Sequence, residues 1–222
     1  MKRMIYGLLV LLLVFQVPVF AAEADMSEWA VAEVNEAIQL GLVPDDLQQD
    51  YQDPITRAEF AEIAVTFVAK HYDKTVEDMI AWYVSTRVDG QGNPLVFHED
   101  AFTDIADSKY AYYIKCASTM GITNGRGDGI FDPDAYITRE EAATMLLRVY
   151  FCYGSGIKLG PKSAEVDLFS DVGEISSWAD TAVRYMYQFD VMKGVSGTSY
   201  APKLSYTKEQ SIATFLRLYK AF

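Results

Sequence analysis

Hydrophobic positions along the chain fall into runs of helical length that end at turn residues. Three such runs, at 29–40, 110–120 and 178–189, lead into Gly41, Gly121 and Asp190. After a polar, Gly-containing loop, each is followed by a second apolar run, at 60–69, 142–149 and 212–218. This alternation of apolar segments and polar loops predicts three pairs of amphipathic helices.

Each second helix opens with the same polar signature, Thr, a basic residue, any residue, then Glu or Gln. The copies lie at 56–59, 138–141 and 207–210. Thr-x-x-Glu is a capping box, in which the Thr oxygen accepts from the third helical amide and the Glu reaches back to the Thr amide. The capping pairs predicted by this pattern are Thr56/Glu59, Thr138/Glu141 and Thr207/Gln210.

The basic residue of the signature has no such structural explanation. Arg57, Arg139 and Lys208 occupy the first helical position, where a cation opposes the helix dipole at a cost of a few tenths to about 1 kcal/mol. Its recurrence suggests an anion site formed with the free amides of the helix N-terminus. The alternatives are an ion pair to an acid such as Asp104 or Asp171, or plain exposure to solvent.

The spacing of these features indicates an internal repeat. The turn residue precedes the Thr by 17 positions in the second and third copies and by 15 in the first. The predicted repeats are repeat 1 (25–72), repeat 2 (102–151) and repeat 3 (169–222), with an insertion at 73–101 and a linker at 152–168. Since one helix pair cannot bury its apolar faces alone, the three should pack together as a pseudo-threefold unit.

The insertion at 73–101 has no counterpart between repeats 2 and 3. Its apolar triplets 82–84 and 95–97 flank the turn-forming stretch 89–93, a pattern that could form a short β-hairpin. The sequence does not indicate what the insertion does.

The N-terminus carries a targeting pattern. Lys2 and Arg3 precede an apolar stretch at 5–17, and two small-x-small sites follow. The stretch is too short for a bilayer core of roughly 30 Å, so residues 1–24 are predicted to be a cleavable secretory signal. An uncleaved anchor helix is the alternative, and no later segment approaches membrane-spanning length.

Composition narrows the function classes. The net charge of −12 argues against a nucleic-acid partner, because no basic surface is available for phosphates. His71 and His98 are the only histidines, which argues against a His-dependent catalytic triad, and we expect no metal and no cofactor. Cys116 and Cys152 could form one disulfide or remain two buried thiols.

The loop 121–134 and the signature 137–141, together with the Phe-x-Asp openings at 102–104 and 169–171, resemble S-layer homology domains. The resemblance covers roughly 26–72, 102–151 and 169–220, with a degenerate loop in the first copy. It implies a mainly α fold and non-catalytic attachment of a secreted protein to the bacterial cell wall. The implied ligand is an anionic, often pyruvylated, secondary cell-wall polysaccharide bound in grooves between repeats.

Carried over position by position, the resemblance implies ligand contacts for a basic, an aromatic and an acidic set of residues. These are Arg57, Arg139 and Lys208; Trp29 and Trp178; and Asp104 and Asp171. Repeat 2 has Lys109 where the Trp is expected, and Asp25 is a weaker match for the acid in repeat 1. Each Trp could equally pack in the core.

Two other classes of function stay open. One is a scaffold that assembles with surface-layer protein partners and binds no sugar. The other is a surface enzyme that uses Glu99 or Asp100 of the insertion, although the sequence shows no paired catalytic constellation there.

Overall fold

The computed structural model describes residues 25–152 and 159–221, so the predicted signal peptide at 1–24 lies outside the described residues. The described chain is mainly helical, as predicted, with β-structure limited to isolated bridges. Its α-helices are α1 Val31–Gln39, α2 Arg57–His71, α3 Val76–Thr86, α4 Ala111–Thr119, α5 Arg139–Cys152, α6 Asp180–Gln188 and α7 Lys208–Ala221. Within these ranges, none of the helices has the length and apolarity needed to cross a bilayer.

The three predicted helix pairs are present as α1/α2, α4/α5 and α6/α7. Each second helix begins at the basic residue of the signature, and the capping boxes form as predicted. Thr56 accepts from the Glu59 amide at 3.2 Å while the Glu59 carboxylate accepts from the Thr56 amide at 2.8 Å. The same reciprocal bonds join Thr138 with Glu141 and Thr207 with Gln210.

The helices pack between repeats in a closed cycle. The first helix of one repeat lies against the second helix of the preceding repeat: α4 on α2, α6 on α5, and α1 on α7. The last contact closes the cycle, because it joins the beginning of repeat 1 to the end of repeat 3. Two ion pairs reinforce it, Arg217 to Glu33 at 2.6 Å and Lys220 to Glu36 at 2.7 Å.

At the centre of this cycle, the residues preceding the three capping threonines form a ring of hydrogen bonds. The amide of Ile55 donates to the carbonyl of Tyr206 at 2.9 Å, Tyr206 donates to Ile137 at 2.9 Å, and Ile137 donates back to Ile55 at 3.1 Å. All three residues are buried. We call these three bonds the central ring. They join three parts of the chain that are distant in sequence.

The amides at the start of each second helix are used by the next repeat. In α2, Arg57 donates to Ala135 at 2.9 Å and Ala58 to Pro133 at 3.1 Å. The equivalent bonds at α5 go to Leu204 and Pro202, and those at α7 go to Asp53 and Tyr51. Since the third amide is capped by Thr, the helix starts are satisfied within the protein.

The apolar core runs between the second helices. Phe215 of α7 lies 5.3 Å from Phe60 and 5.2 Å from Phe67 of α2, measured between ring centroids. These aromatic side chains are fully or almost fully buried. These aromatic contacts join two different repeats. A single helix pair could therefore not bury its apolar side chains without its neighbours.

The insertion at 73–101 differs from its prediction. Trp82, Tyr83 and Val84 lie in α3, not in a strand, and Trp82 packs against Tyr72 with ring centroids 4.7 Å apart. Thr75 caps this helix by accepting from the Asp78 amide at 3.1 Å. Only the turn of the expected hairpin forms, as an isolated bridge between Val88 and Pro94.

The cysteines are free thiols, so the disulfide alternative is wrong. Both are buried, and burial raises the pKa of Cys116 to about 12 and that of Cys152 to about 11. A buried thiol with a raised pKa has little thiolate at neutral pH and therefore reacts slowly.

We expect neither cysteine to react with a thiol-specific disulfide reagent at pH 8 in the native protein, and both to react after unfolding in urea without reductant. Absorbance of the released chromophore counts the reacting thiols. Zero reactive thiols in urea, rising to two only after reduction, would show that the two form a bridge.

Candidate functional site

Two grooves of similar composition lie between the repeats. Groove A encloses about 560 Å³ and is lined by Arg57, Thr123, Arg126, Glu141, Arg148 and Trp178 among others. Groove B encloses about 320 Å³, and its lining includes Trp29, Arg139, Lys193, Tyr206, Gln210 and Arg217. Each groove therefore presents three cationic side chains in a chain whose net charge is −12.

The two grooves are built from equivalent positions. The basic residue comes from one repeat, the floor from the loop and second helix of the next repeat, and the Trp from the turn just before the first helix of the third. Arg57 of groove A corresponds to Arg139 of groove B, and Trp178 corresponds to Trp29. A groove of this kind exists only when all three repeats are docked.

Arg57 of groove A is fixed by a hydrogen bond, an ion pair and a contact with an aromatic ring. Its Nε donates to the Phe131 carbonyl at 2.8 Å, and its Nη1 lies 3.2 Å from the Glu141 carboxylate. The guanidinium also stacks 4.9 Å above the Phe131 ring, and the residue is 4% exposed. Burial lowers the pKa of Arg57, and Glu141 opposes that effect, so the side chain stays cationic.

Arg139 occupies the same place in groove B but has different partners. Its Nε donates to the Tyr200 carbonyl at 2.9 Å and its Nη2 to the Lys193 carbonyl at 2.5 Å. Gln210 stands where groove A has Glu141, and Arg139 forms no ion pair with any carboxylate in the described ranges. Groove B therefore has a cation held only by neutral oxygens and by the rings of Tyr200 and Tyr206.

The sequence hypothesis that helix N-terminal amides help to bind an anion is wrong for these helices. The first two amides of α2, α5 and α7 donate to carbonyls of the neighbouring repeat, and the third donates to the capping Thr. Of the three basic side chains at these positions, Arg57 and Arg139 line grooves A and B, and each is 4% exposed.

Lys208, the third basic residue of the signature, lies in a different environment. Its Nζ is 4.0 Å from Glu59, and the residue is 8% exposed. The position equivalent to Thr144 is Glu62, a buried carboxyl whose pKa is raised to about 7 by burial and by Asp46. This junction therefore has a carboxyl group, Glu62, at a position that is neutral in grooves A and B, where Thr144 and Ala213 are its equivalents.

We call the place where Lys208 of repeat 3 meets repeat 1 and the start of repeat 2 the third junction. It has Lys109 where grooves A and B have a Trp. Lys109 pairs with Asp46 at 2.8 Å, and the Tyr110 hydroxyl donates to the same carboxylate at 3.1 Å. The local network thus neutralises the cation at the position where grooves A and B expose an aromatic ring.

Asp104 and Asp171 hold loops rather than lining either groove. Asp104 accepts from the Phe131 amide at 2.9 Å and the Asp132 amide at 2.7 Å. Asp171 accepts from the Tyr200 amide at 2.9 Å and the Ala201 amide at 2.8 Å. In repeat 1, Asp25 accepts from the Tyr51 amide at 3.1 Å, which supports its assignment to the same position.

The same carboxylates position the basic residues indirectly. Phe131 and Tyr200, whose amides bind Asp104 and Asp171, are the residues whose carbonyls accept from Arg57 and Arg139. Although burial alone would raise the pKa of Asp104, the hydrogen bonds from Phe131 and Asp132 hold it below its usual range.

Both tryptophans are exposed, so neither is buried in the core, which was the alternative to a place in a groove. Trp29 is 48% exposed and Trp178 is 56% exposed. An aromatic ring at the mouth of a groove, with one face in water, can stack on the apolar face of a sugar ring or of another side chain.

Sequence reasoning missed several cations of the grooves, namely Arg126, Lys193, Arg148 and Arg217. A signal for two of them was present, because Arg148 and Arg217 both lie nine positions after the basic residue of their helices. Arg126 and Lys193 come from loops, so only the loop conformation shows which groove they enter. Gly125 makes this conformation possible at φ +69°, where an added Cβ would lie 2.4 Å from the Ile130 carbonyl.

The adjacent carboxylates of Glu140 and Glu141 face different sites. Glu141 caps α5 and contacts Arg57, whereas Glu140 accepts from the amide and hydroxyl of Ser176, both at 2.9 Å. Glu209 makes the equivalent pair of bonds to Ser27. These buried carboxylates join neighbouring repeats and are not part of a catalytic pair.

A family model for the S-layer homology domain matches residues 101–143 and 168–210. The matched segments contain most of repeats 2 and 3, so the resemblance is confirmed there, and repeat 1 lies outside both. The S-layer homology domain is a non-catalytic anchoring module associated with cell surfaces.

Three curated relatives share parts of the chain. An endoglucanase of Bacillus sp. (strain KSM-635) is 34% identical over 44% of this chain. Cell surface glycoprotein 1 of Acetivibrio thermocellus is 28% identical over 52%, and an amylopullulanase of Thermoanaerobacterium thermosulfurigenes is 27% identical over 62%. The aligned parts span 10%, 5% and 8% of these proteins, so the chain resembles a small part of each.

We expect Asp104→Asn to destabilise the protein by about 1–3 kcal/mol at pH 7, because two loop amides lose a charged acceptor. A carboxyl whose pKa is lowered on folding stabilises the protein above its unfolded pKa, and this contribution disappears as the pH falls through the folded value. The deficit of the variant should therefore shrink between pH 5 and about pH 2 in urea denaturation.

Asp107→Asn is the matched control, since Asp107 is exposed on the same segment. A deficit for Asp104→Asn that is no larger than the control's, or that stays constant down to pH 2, would contradict this role.

Proposed function

We propose that the protein attaches non-covalently to an anionic polysaccharide of the bacterial cell wall, and that grooves A and B are its binding sites. The observation that carries the proposal is that an exposed Trp and a cluster of cations recur at equivalent positions in both grooves. A sugar ring stacks on the Trp, and its acidic substituent meets a guanidinium, a charge-assisted contact.

The cationic grooves stand out against the charge of the chain as a whole. A protein of net charge −12 repels anions at a distance, so an anionic ligand must be recognised at close range by specific side chains. We therefore infer that Arg57 and Arg139 lie at the ends of the sites, with Trp178 and Trp29 at their mouths. Asp104 and Asp171 act by fixing the loops that hold the two arginines.

The third junction is proposed not to bind the same ligand. Glu59, Glu62 and Asp46 surround Lys208 and Lys109 there, so an acidic sugar would meet carboxylates of its own charge. Repeat 1 is then a degenerate S-layer homology repeat. It completes the grooves by supplying Arg57 to groove A and Trp29 to groove B.

Two wider features belong to the same proposal. Residues 1–24 direct secretion as a cleavable signal, and the mature chain resides at the cell wall without enzymatic activity. The endoglucanase and amylopullulanase relatives are named for activities, but the chain matches only 10% and 8% of them, so those names do not assign a reaction to it. A protein-binding scaffold remains the second candidate, because exposed aromatic rings beside cations also suit a protein partner.

Pull-down on cell-wall sacculi tests the proposal. We expect binding to sacculi that retain their polysaccharide, and loss of binding once it is stripped. Trp178→Ala and Trp29→Ala should each weaken binding about tenfold at their own site by removing the stacking surface. Tyr136→Ala is the control, since Tyr136 is 54% exposed and lies outside both grooves' linings.

Substitution of the basic residues by Ala completes this test. Arg57→Ala and Arg139→Ala should weaken binding and Lys208→Ala should not, with urea denaturation used to confirm that each variant is folded at the assay temperature. Binding that survives removal of the polysaccharide, or that is unchanged in both arginine variants, would contradict the proposed sites and favour the scaffold.

A further inference from the structure

The cations of groove A are unequally neutralised. Arg57 and Arg126 share the Glu141 carboxylate, at 3.2 Å and 3.0 Å, and Arg126 also pairs with Asp132. Arg148 has no carboxylate partner in the described ranges, and its guanidinium makes one hydrogen bond to them, a 3.4 Å contact from Nη1 to the Ile122 carbonyl. Groove A therefore contains a guanidinium, that of Arg148, whose charge no carboxylate of the described residues balances.

In groove B the cation without a carboxylate partner among the described residues is Arg139, at the start of its helix, and not the arginine nine positions into the second helix. Arg217, the equivalent of Arg148, forms a two-pronged pair with Glu33 at 2.8 Å and 2.6 Å. Arg139, the equivalent of Arg57, donates only to the carbonyls of Tyr200 and Lys193. The two grooves have the same architecture but opposite placement of the free positive charge.

A cation that already has a carboxylate gains little from a second anion. Arg148 is half-buried and Arg139 is buried, at 4% exposed. A guanidinium that loses hydration in this way and has no carboxylate partner has N–H donors left to satisfy, so an incoming carboxylate gains most there. Burial lowers the pKa of Arg148, and no carboxylate among the described residues offsets that effect, whereas Glu141 offsets it at Arg57. An arginine still stays charged at any physiological pH.

Both unbalanced cations belong to one helix. Arg139 is the first residue of α5 and lines groove B, whereas Arg148 lies nine residues further along and lines groove A. At 1.5 Å per residue the two positions are about 13 Å apart along the helix axis. A single helix thus presents a free guanidinium to each of two separate grooves.

Under the proposed function Arg139 binds the acidic group of the ligand in groove B, and we propose that in groove A this group is bound by Arg148 and not by Arg57. Arg57 is then a positioning residue, which fixes the Phe131 loop and Glu141. The inference rests on the proposed function, and it specifies that the acidic substituent occupies different places in the two grooves. The ligand class is a carboxylate-bearing glycan in both.

A double-mutant cycle separates the grooves. The probe is the polysaccharide released from sacculi, measured by calorimetry against the same material after its acidic substituents are removed. In a Trp29→Ala background, which leaves groove A to report, Arg148→Gln should lower the affinity by about tenfold or more. In a Trp178→Ala background, which leaves groove B, the same change should have no effect because the residues do not share a site.

Two further variants keep the test independent of folding. Arg148→Lys keeps the charge and should retain part of the affinity, with a steeper loss as salt is raised. Lys70→Gln removes one positive charge from an exposed position outside both grooves and should leave the affinity unchanged. Thermal unfolding of every variant shows whether a loss of binding reflects a loss of fold.

The outcomes test the proposed function and the assignment of Arg148 separately. If the wild type fails to bind the released polysaccharide, the proposed function is wrong. If it binds, is weakened by Trp178→Ala, and yet is insensitive to Arg148→Gln in the Trp29→Ala background, the proposed function stands and the assignment of Arg148 is overturned. The assignment is also overturned if Arg148→Gln weakens binding equally in both backgrounds.

Discussion

The hydrogen bonds joining Ile55, Ile137 and Tyr206 in the central ring are the constraint on which the rest of the structure depends. Each ring residue directly precedes a capping Thr, so the ring fixes where the second helices begin and in which direction they leave the centre. The first two amides of each helix then reach the loop of the next repeat. Leaving one of these donors buried and unpaired would cost about 1–3 kcal/mol. Docking of the repeats is therefore cooperative.

The grooves are a consequence of this arrangement. Since the basic residue follows the capping Thr, the central ring carries Arg57 and Arg139 to the edge of the neighbouring loop, where Phe131 and Tyr200 accept from them. The helix start thus has two separable parts. Thr and Glu or Gln stabilise the helix, whereas the cation between them is placed at the junction of three repeats. The three junctions are unequal because their remaining residues differ, and only two combine several cations with an exposed Trp.

The local features of this fold and, through the repeat, the packing of three helix pairs could be predicted from the sequence, whereas individual long-range side-chain contacts could not. The helices and capping boxes depend on residues within one turn of each other, which a linear pattern records. The pairing of Arg217 with Glu33 joins residues 184 positions apart, so the contrast between Arg217 and the unpaired Arg148 appears only in the folded chain. Trp82 to Val84 were misread because aromatic and β-branched residues favour strands, whereas the Thr75 cap and packing on Tyr72 place them in a helix.

The proposed function requires that grooves A and B each bind the acidic glycan. It also requires that the third junction does not, because Asp46 and Glu59 already neutralise its cations. Its most direct test is the binding stoichiometry of a short acidic fragment of the wall polysaccharide, small enough to occupy one groove, measured by isothermal titration calorimetry. The account predicts two fragments bound per chain, falling to one in Trp29→Ala or Trp178→Ala. Three equivalent sites, or a stoichiometry that neither Trp substitution changes, would contradict it.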